Sequence, residues 1–176
     1  MTMQHTLVPI LGFAAASGTG KTTLLEQIIP ALKQQGLRIG LIKHSHHNVQ
    51  IDQPGKDSFR LRVAGATPVM LSSAHRRVMI TEFSEIKEPN LFEEISFFDQ
   101  SEVDLILVEG FKSACFPKIE LHREALNSPL IYPSDPNIIA IATDTDLIIP
   151  DGLKQLDINQ ASTVVNFIIH EFIGLL

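Results

Sequence analysis

The stretch Leu7-Val8-Pro9-Ile10-Leu11-Gly12-Phe13-Ala14-Ala15-Ala16-Ser17-Gly18-Thr19-Gly20-Lys21-Thr22-Thr23 decides the fold. Leu7 to Ala14 is a continuous apolar run, the pattern of a parallel strand buried on both faces. It runs into a glycine-rich turn. Thr22 to Gln35 then reads as a helix, with Leu24, Leu25, Ile28, Ile29 and Leu32 on its inner face and Gly36 as its stop. Pro30 lies inside that pattern and predicts a kink or an early break. A strand, a glycine turn and a helix that opens on Lys and Thr form a phosphate loop. Backbone N–H groups from Ser17 to Lys21 can converge on phosphate oxygens, and the helix N-terminus favours negative charge. Gly18 and Gly20 permit backbone angles that a side chain resists. Lys21 can reach β- and γ-phosphates, and the Thr22 hydroxyl can ligate Mg²⁺. The candidate phosphate-binding set is therefore Ser17, Gly18, Thr19, Gly20, Lys21, Thr22 and Thr23. The motif's usual first glycine is Ala15 here, which weakens a strict match but leaves the strand–helix context intact.

Working outward, Arg38 to Lys43 predicts a second strand, and Asp57 to Ala64 a short helix with Asp57 or Ser58 at its cap. Pro68–Ser72 and Arg77–Glu82 flank a short turn and predict a hairpin. Leu91–Phe98 reads as a helix and Val103–Val108 as a strand, apolar but for Asp104. Lys118–His122 alternates polar and apolar, the pattern of an edge or half-exposed strand. Ile138–Ala142 is another apolar strand. The chain closes on a helix carrying Ala161, Val164, Val165, Ile168, Ile169 and Phe172 at helical spacing. The Phe97-Phe98 pair reads as core or interface. Strands alternating with helices imply an α/β fold: a three-layer P-loop NTPase-like domain with a mainly parallel sheet plus a β-hairpin extension. We expect residues 1–176 to form one domain, since 176 residues suffice for one core and the sequence marks no linker, repeat or low-complexity tract.

Composition narrows the class. With 44% hydrophobic and 19% charged residues the chain is globular, and its formal net charge of −6 argues against nucleic acid or anionic membrane as partners. No apolar run reaches the roughly 18–20 residues of a membrane span. The first residues lack a basic n-region and read as the lead-in to a strand, not as a signal peptide. A lone Cys115 forms no CxxC pattern and no internal disulfide. A cytoplasmic location is expected.

In open α/β sheets the ligand lies beyond the carboxyl ends of the strands. Here those ends fall at Ala15, Lys43-His44, Glu109-Gly110 and Thr143-Asp144. Glu109, after Leu105-Ile106-Leu107-Val108, is the candidate acid that holds Mg²⁺ or its water. Asp104 is the rival, but five strand residues separate the two carboxylates by roughly 16 Å. Asp104 thus belongs at the opposite edge. His44, His46 and His47 form the densest histidine cluster; without a second group at ligand spacing they read as a loop beside nucleotide or substrate, not a transition-metal site. Asp52, in the same loop, could approach Mg²⁺ through water. Asp57 reads as a helix cap. Two readings of Asp144 stand: a carboxylate accepting the N–H donors of guanine, or a turn-former in Asp144-Thr145-Asp146. Arg60, Arg62, Arg76 and Arg77 could meet an anion, with solvated surface as the plainer account.

Four segments in order resemble the MobB family of molybdopterin-guanine dinucleotide biosynthesis adaptor proteins. They are Phe13 to Thr23, Gly40-Leu41-Ile42-Lys43-His44-Ser45-His46-His47, Pro54-Gly55-Lys56-Asp57-Ser58, and Asp104 to Lys112 with its Glu-Gly-Phe-Lys end. The resemblance implies a GTP-binding protein with weak GTP hydrolysis and Mg²⁺ as cofactor. It implies an adaptor role beside the molybdenum cofactor guanylyltransferase, which joins GMP to molybdopterin. It also implies a homodimer with a hairpin at its interface, for which 68–82 is the candidate segment. It favours Asp144 as guanine reader and tolerates Ala15. His44, His46, His47, Asp52, Lys56, Asp57 and Arg62 then form a candidate substrate or switch loop. Two other classes compete: a small-molecule kinase, for which no arginine-bearing lid is evident, and a non-catalytic phosphate- or pterin-binding module.

Overall fold

The computed structural model describes residues 6–45 and 48–175. Six strands form one wholly parallel sheet: β1 (Ile10–Ala15), β2 (Ile39–Lys43), β5 (Leu105–Glu109), β6 (Lys118–His122), β7 (Ile138–Thr143) and β8 (Lys154–Asp157), in the order β2-β5-β1-β6-β7-β8. An antiparallel hairpin, β3 (Val69–Ser72) with β4 (Arg77–Ile80), stands apart as a two-stranded sheet. The chain divides into two compact units, 45–89 forming one and the rest of the chain the other.

In the larger unit the sheet is coated on both faces, because side chains alternate along a strand. Leu11 and Phe13 of β1 join Leu105 and Leu107 of β5 under α1 (Lys21–Gln34) and α4 (Ala161–Asn166). Ile10, Ile106 and Val108 point the other way, into a smaller core with Leu91 and Ile95 of α3 (Leu91–Ile95). These are the three layers of the expected α/β fold. Asn90 caps α3 by accepting from the amides of Phe92 and Glu93.

Several local expectations need correction. α1 runs four residues past Pro30, to Gln34, so the proline does not end it. Phe97 is exposed, whereas Phe98 packs against the smaller core. The last helix becomes a π-helix at Phe167–Phe172 and a 3₁₀ turn at Ile173–Leu175. The largest correction concerns β6. It is no edge strand but an interior one between β1 and β7, and all five of its residues are buried. Lys118 and Glu120 survive there because each finds internal partners. Lys118 Nζ donates to the Ala114 carbonyl at 2.7 Å and to Asp135 Oδ2 at 2.9 Å. Glu120 accepts from the amides of Ile131 and Tyr132 at 2.7 and 2.8 Å. Burial pushes the Glu120 carboxyl above its ordinary value, against the pull of those two amides. For Asp135, burial also works upward, but the bonds from Lys118 and Asn137 together hold it below its ordinary value. β8 was not foreseen, since Lys154-Gln155-Leu156-Asp157 is polar and sits at the sheet's edge.

The smaller unit comprises α2 (Asp57–Val63) and the hairpin β3–β4. Asp57 is not the cap of α2: Lys56 holds that position without a side-chain bond, and Asp57 is the first helical residue, 3.8 Å from Arg60. There its charge complements the helix dipole.

Candidate functional site

The phosphate loop joins β1 to α1. Ala15 ends β1 with its side chain in the core, and only Gly18 and Gly20 of the loop carry positive φ, at 82° and 93°. The position where the strict motif asks for a first glycine therefore needs no glycine angle here. A Cβ on Gly18 or Gly20 would meet nothing within 4 Å, so backbone angle rather than crowding by protein demands glycine at both. Thr19 is buried, and its hydroxyl donates to the Ala16 carbonyl at 2.8 Å, closing the loop on itself. Gly20 is the N-cap of α1 and offers the first-turn amides no side-chain bond. Those amides thus remain donors for an anion. Ser17, Thr22 and Thr23 lie exposed around them.

Sheet order brings three charges together beside this loop. β5 lies between β2 and β1, with Glu109 in register with Lys43 on one side and Phe13 on the other. Lys21 Nζ stands 3.5 Å from Glu109 Oε1, and Lys43 Nζ 3.3 Å from Oε2. Glu109 is largely buried, with 14% of its side chain exposed. One carboxylate flanked by two ammonium groups leaves an excess positive charge at the mouth of the loop. Lys43 escaped the sequence reading, which treated it only as a strand end. Asp104 lies at the other end of β5, as the strand length required, and pairs there with Arg38.

His44 follows β2 and is fixed against the end of β5. Its amide donates to the Glu109 carbonyl at 2.8 Å, and its ring stacks on Phe111 with centroids 4.8 Å apart. Gly110 has φ 98°, and a Cβ there would lie 2.6 Å from the His44 Cβ. Phe111 follows at φ 50°, one of two non-glycine residues with positive φ among those described. The histidine segment and the Glu-Gly-Phe segment are thus one packed corner. His46 and His47 lie outside the described residues. Among the described residues no group of three His, Cys, Asp or Glu is arranged to hold a metal.

At the far side of the loop, Arg123 follows β6. Its Nε donates to the Thr19 carbonyl at 3.1 Å, and one terminal nitrogen donates to Asp144 Oδ2 at 3.2 Å and to Asn159 Oδ1 at 3.0 Å. Asp144 Oδ1 accepts from the Glu124 amide at 3.0 Å. The Glu124 amide, the residue's own amide and the Arg123 guanidinium together hold the Asp144 carboxyl below its ordinary value, against burial that works upward. Both oxygens of Asp144 therefore already serve the fold. Arg123 was missed because a single arginine after a strand carries no motif. Two cavities meet at Asn159: one of about 210 Å³ reaches Gly20 and Thr23, and one of about 580 Å³ is walled by Asp144, Asp146 and Gln155.

In the smaller unit, Asp52 and Arg62 come together, with Nε and Oδ2 3.8 Å apart. Asp52 Oδ1 accepts from the Ser58 hydroxyl at 2.8 Å, and Arg62 donates to Glu82. Lys56 and Asp57 are exposed and stand outside this cluster.

The sequence from residue 10 to 144 matches the profile of MobB, molybdopterin guanine dinucleotide synthesis protein B. The chain belongs to the MobB family. Among curated relatives of this MobB chain, the molybdopterin-guanine dinucleotide biosynthesis adapter protein of Escherichia coli (strain K12) is 46% identical over 165 residues, 93% of each chain. The adapter protein of Haemophilus influenzae is 43% identical over 170 residues, covering 95% of this chain and 93% of that one. A crystal structure of Bacillus subtilis MobB superposes with TM-score 0.72 at 26% identity, covering 92% of this chain and 96% of that one. Three of the four segments that carried the resemblance have parts within the larger unit of this MobB chain, at the ends of β1, β2 and β5.

Proposed function

We propose that this MobB-family chain is a GTP-binding adapter in molybdopterin-guanine dinucleotide biosynthesis, assisting the partner guanylyltransferase that attaches GMP to molybdopterin. The observation that carries the reading is the Lys21–Glu109–Lys43 arrangement beside the phosphate loop. In the nucleotide-bound state Lys21 exchanges Glu109 for β- and γ-phosphate oxygens, and the amides from Ser17 to Lys21 hold the remaining oxygens. Glu109, which also lies beside Lys43, would hold a metal together with Thr22. Mg²⁺, when bound, neutralises charge on the phosphate oxygens. Asp144, beside Asn159, would read the N–H donors of the guanine base.

No described residue stands out as a general base, which suits slow hydrolysis by positioning and electrostatics alone. Arg123, already bonded to Thr19, Asp144 and Asn159, is no mobile lid arginine, and this favours an adapter over a kinase. The hairpin 68–82 serves the homodimer interface: Leu71 is exposed on it, an apolar side chain that association would cover.

Calorimetric titration with GTP and ATP, with and without Mg²⁺, tests the reading. GTP is expected to bind at least tenfold more tightly than ATP, and Lys21→Ala to abolish binding. An ATP preference, or unchanged GTP affinity in that variant, would sink it. Guanylylation of molybdopterin by the partner enzyme should rise when this chain is added.

A further inference from the structure

The smaller unit holds a cavity of about 370 Å³ that the nucleotide reading does not use. Its wall carries Asp52, Arg62 and Glu82, and its apolar lining includes Val49, Met79 and Phe83. The polar cluster is unusual for its burial. The Asp52 side chain is only 5% exposed and Arg62 18%, yet Asp52 Oδ2 and Arg62 Nε have no hydrogen-bond partner among the described residues. Their other atoms are engaged, Asp52 with Ser58 and Arg62 with Glu82. Two carboxylates and one guanidinium leave the wall with one excess negative charge. Such a wall repels phosphate and attracts a neutral group rich in N–H donors. The apolar side is as distinctive. Val49, Met79 and Phe83 are 62, 48 and 63% exposed, and Phe83 presents an aromatic face beside the charges. A planar heterocycle would cover that face and turn its polar edge to the carboxylates.

We infer that this cavity receives the 2-amino-4-oxopyrimidine ring of a pterin, with Glu82 and Asp52 accepting its N–H donors and Phe83 stacking on the ring. Arg62 holds the two carboxylates in place and can turn its Nε to the ring's carbonyl oxygen. The same donor edge occurs in guanine. A guanine nucleotide, however, brings a polyphosphate, and Arg62, the one cation of the cluster, is already shared between two acids. The inference rests on the proposed adapter role, since it assigns the pterin half of that chemistry to the smaller unit.

Pterin fluorescence offers the test, because the chain has no Trp and a single Tyr to interfere. The full chain is titrated into neopterin, a phosphate-free probe, and into guanosine as competitor, with GTP binding measured separately by calorimetry. Neopterin anisotropy should rise on binding, and guanosine should compete at least tenfold less well. Glu82→Ala and Phe83→Ala, both at sites more than half exposed and so tolerant of change, should each weaken neopterin about tenfold and leave GTP unchanged. Lys21→Ala should lose GTP and keep neopterin. Unchanged neopterin affinity in both cavity variants overturns the inference, as does guanosine binding as tightly as neopterin. Absence of GTP binding with neopterin retained strikes the nucleotide reading alone.

Discussion

The two units of this chain are built on opposite terms. The larger unit buries two continuous cores, one on each face of a six-stranded parallel sheet, and even takes Lys118 and Glu120 inside with their partners. The smaller unit, 45–89, has no buried residue among those described. Its order comes from one short helix, a two-stranded hairpin and the Asp52–Arg62–Glu82 cluster. A lone hairpin is marginal in water. The larger unit can therefore fix a site to a fraction of an ångström, which phosphate and metal chemistry requires. The smaller one is suited to contacts that form and release, and it gains order from whatever covers it.

Equivalent truncations in the two units should expose this difference most strongly. Ile119 sits at the centre of β6 with no exposed surface. Ile119→Ala should cost about 4 kcal/mol through lost burial and an unfilled cavity. Met79→Ala, on the exposed hairpin, should change the stability of the monomer by less than about 0.5 kcal/mol. Urea denaturation of both variants at low concentration makes the measurement. Comparable losses would mean that the smaller unit has a core of its own and would break the contrast.

The same contrast explains how much was legible in the sequence. Ile10–Ala15, the glycine loop, α1 and β5 could be read because long apolar runs and a spaced motif are local signals, and the larger unit is made of them. That Glu109 and Asp104 lie at opposite ends of β5 followed from strand length alone. β6 was misread because Lys118, Glu120 and His122 look solvated, and only the fold supplies Asp135 and the amides of Ile131 and Tyr132 that let two of them be buried. The convergence of Lys21 and Lys43 on Glu109 depends on the order β2-β5-β1, which no local pattern encodes. Arg123 and Glu82 were invisible for a related reason. Each matters through partners far off in the chain, Thr19 for one and Arg62 for the other.

A smaller effect is expected at the corner where the sheet meets its site. At Gly110, φ is 98° and a Cβ would stand 2.6 Å from that of His44. Gly110→Ala should therefore cost roughly 2 kcal/mol from backbone strain and displacement of His44. On the proposed nucleotide reading, because Glu109 is the adjacent residue, the strain should also appear as weaker Mg²⁺-dependent GTP binding, about tenfold, with metal-independent binding little changed. Thermal melts with and without GTP and Mg²⁺ separate the two. A variant with full stability and unchanged metal dependence would show that the corner is as yielding as the smaller unit.

The finest comparison is between two arginine–carboxylate pairs, one in each unit. Arg38 grips Asp104 with Nε at 3.0 Å and a terminal nitrogen at 2.7 Å, and its backbone amide donates to the same carboxylate at 2.7 Å. Arg62 faces Asp52 at 3.8 Å without a hydrogen bond. The Arg38 side-chain bond, then its amide, lowers the Asp104 carboxyl from 3.8 to about 2. A carboxyl whose folded value is depressed binds its proton more readily in the unfolded chain. Asp104 thus contributes stability that is fully present above the ordinary carboxylate range and is lost as pH falls toward about 2. A carbon-detected NMR titration of the Asp104 carboxyl should find that low midpoint, and Arg38→Ala should return it toward 3.8. The effect on stability at neutral pH should be the smallest considered, because the pair is partly exposed and screened by water and salt. A midpoint left low in Arg38→Ala would mean that the backbone amide of residue 38, just before β2, and not the guanidinium, sets the affinity for the proton.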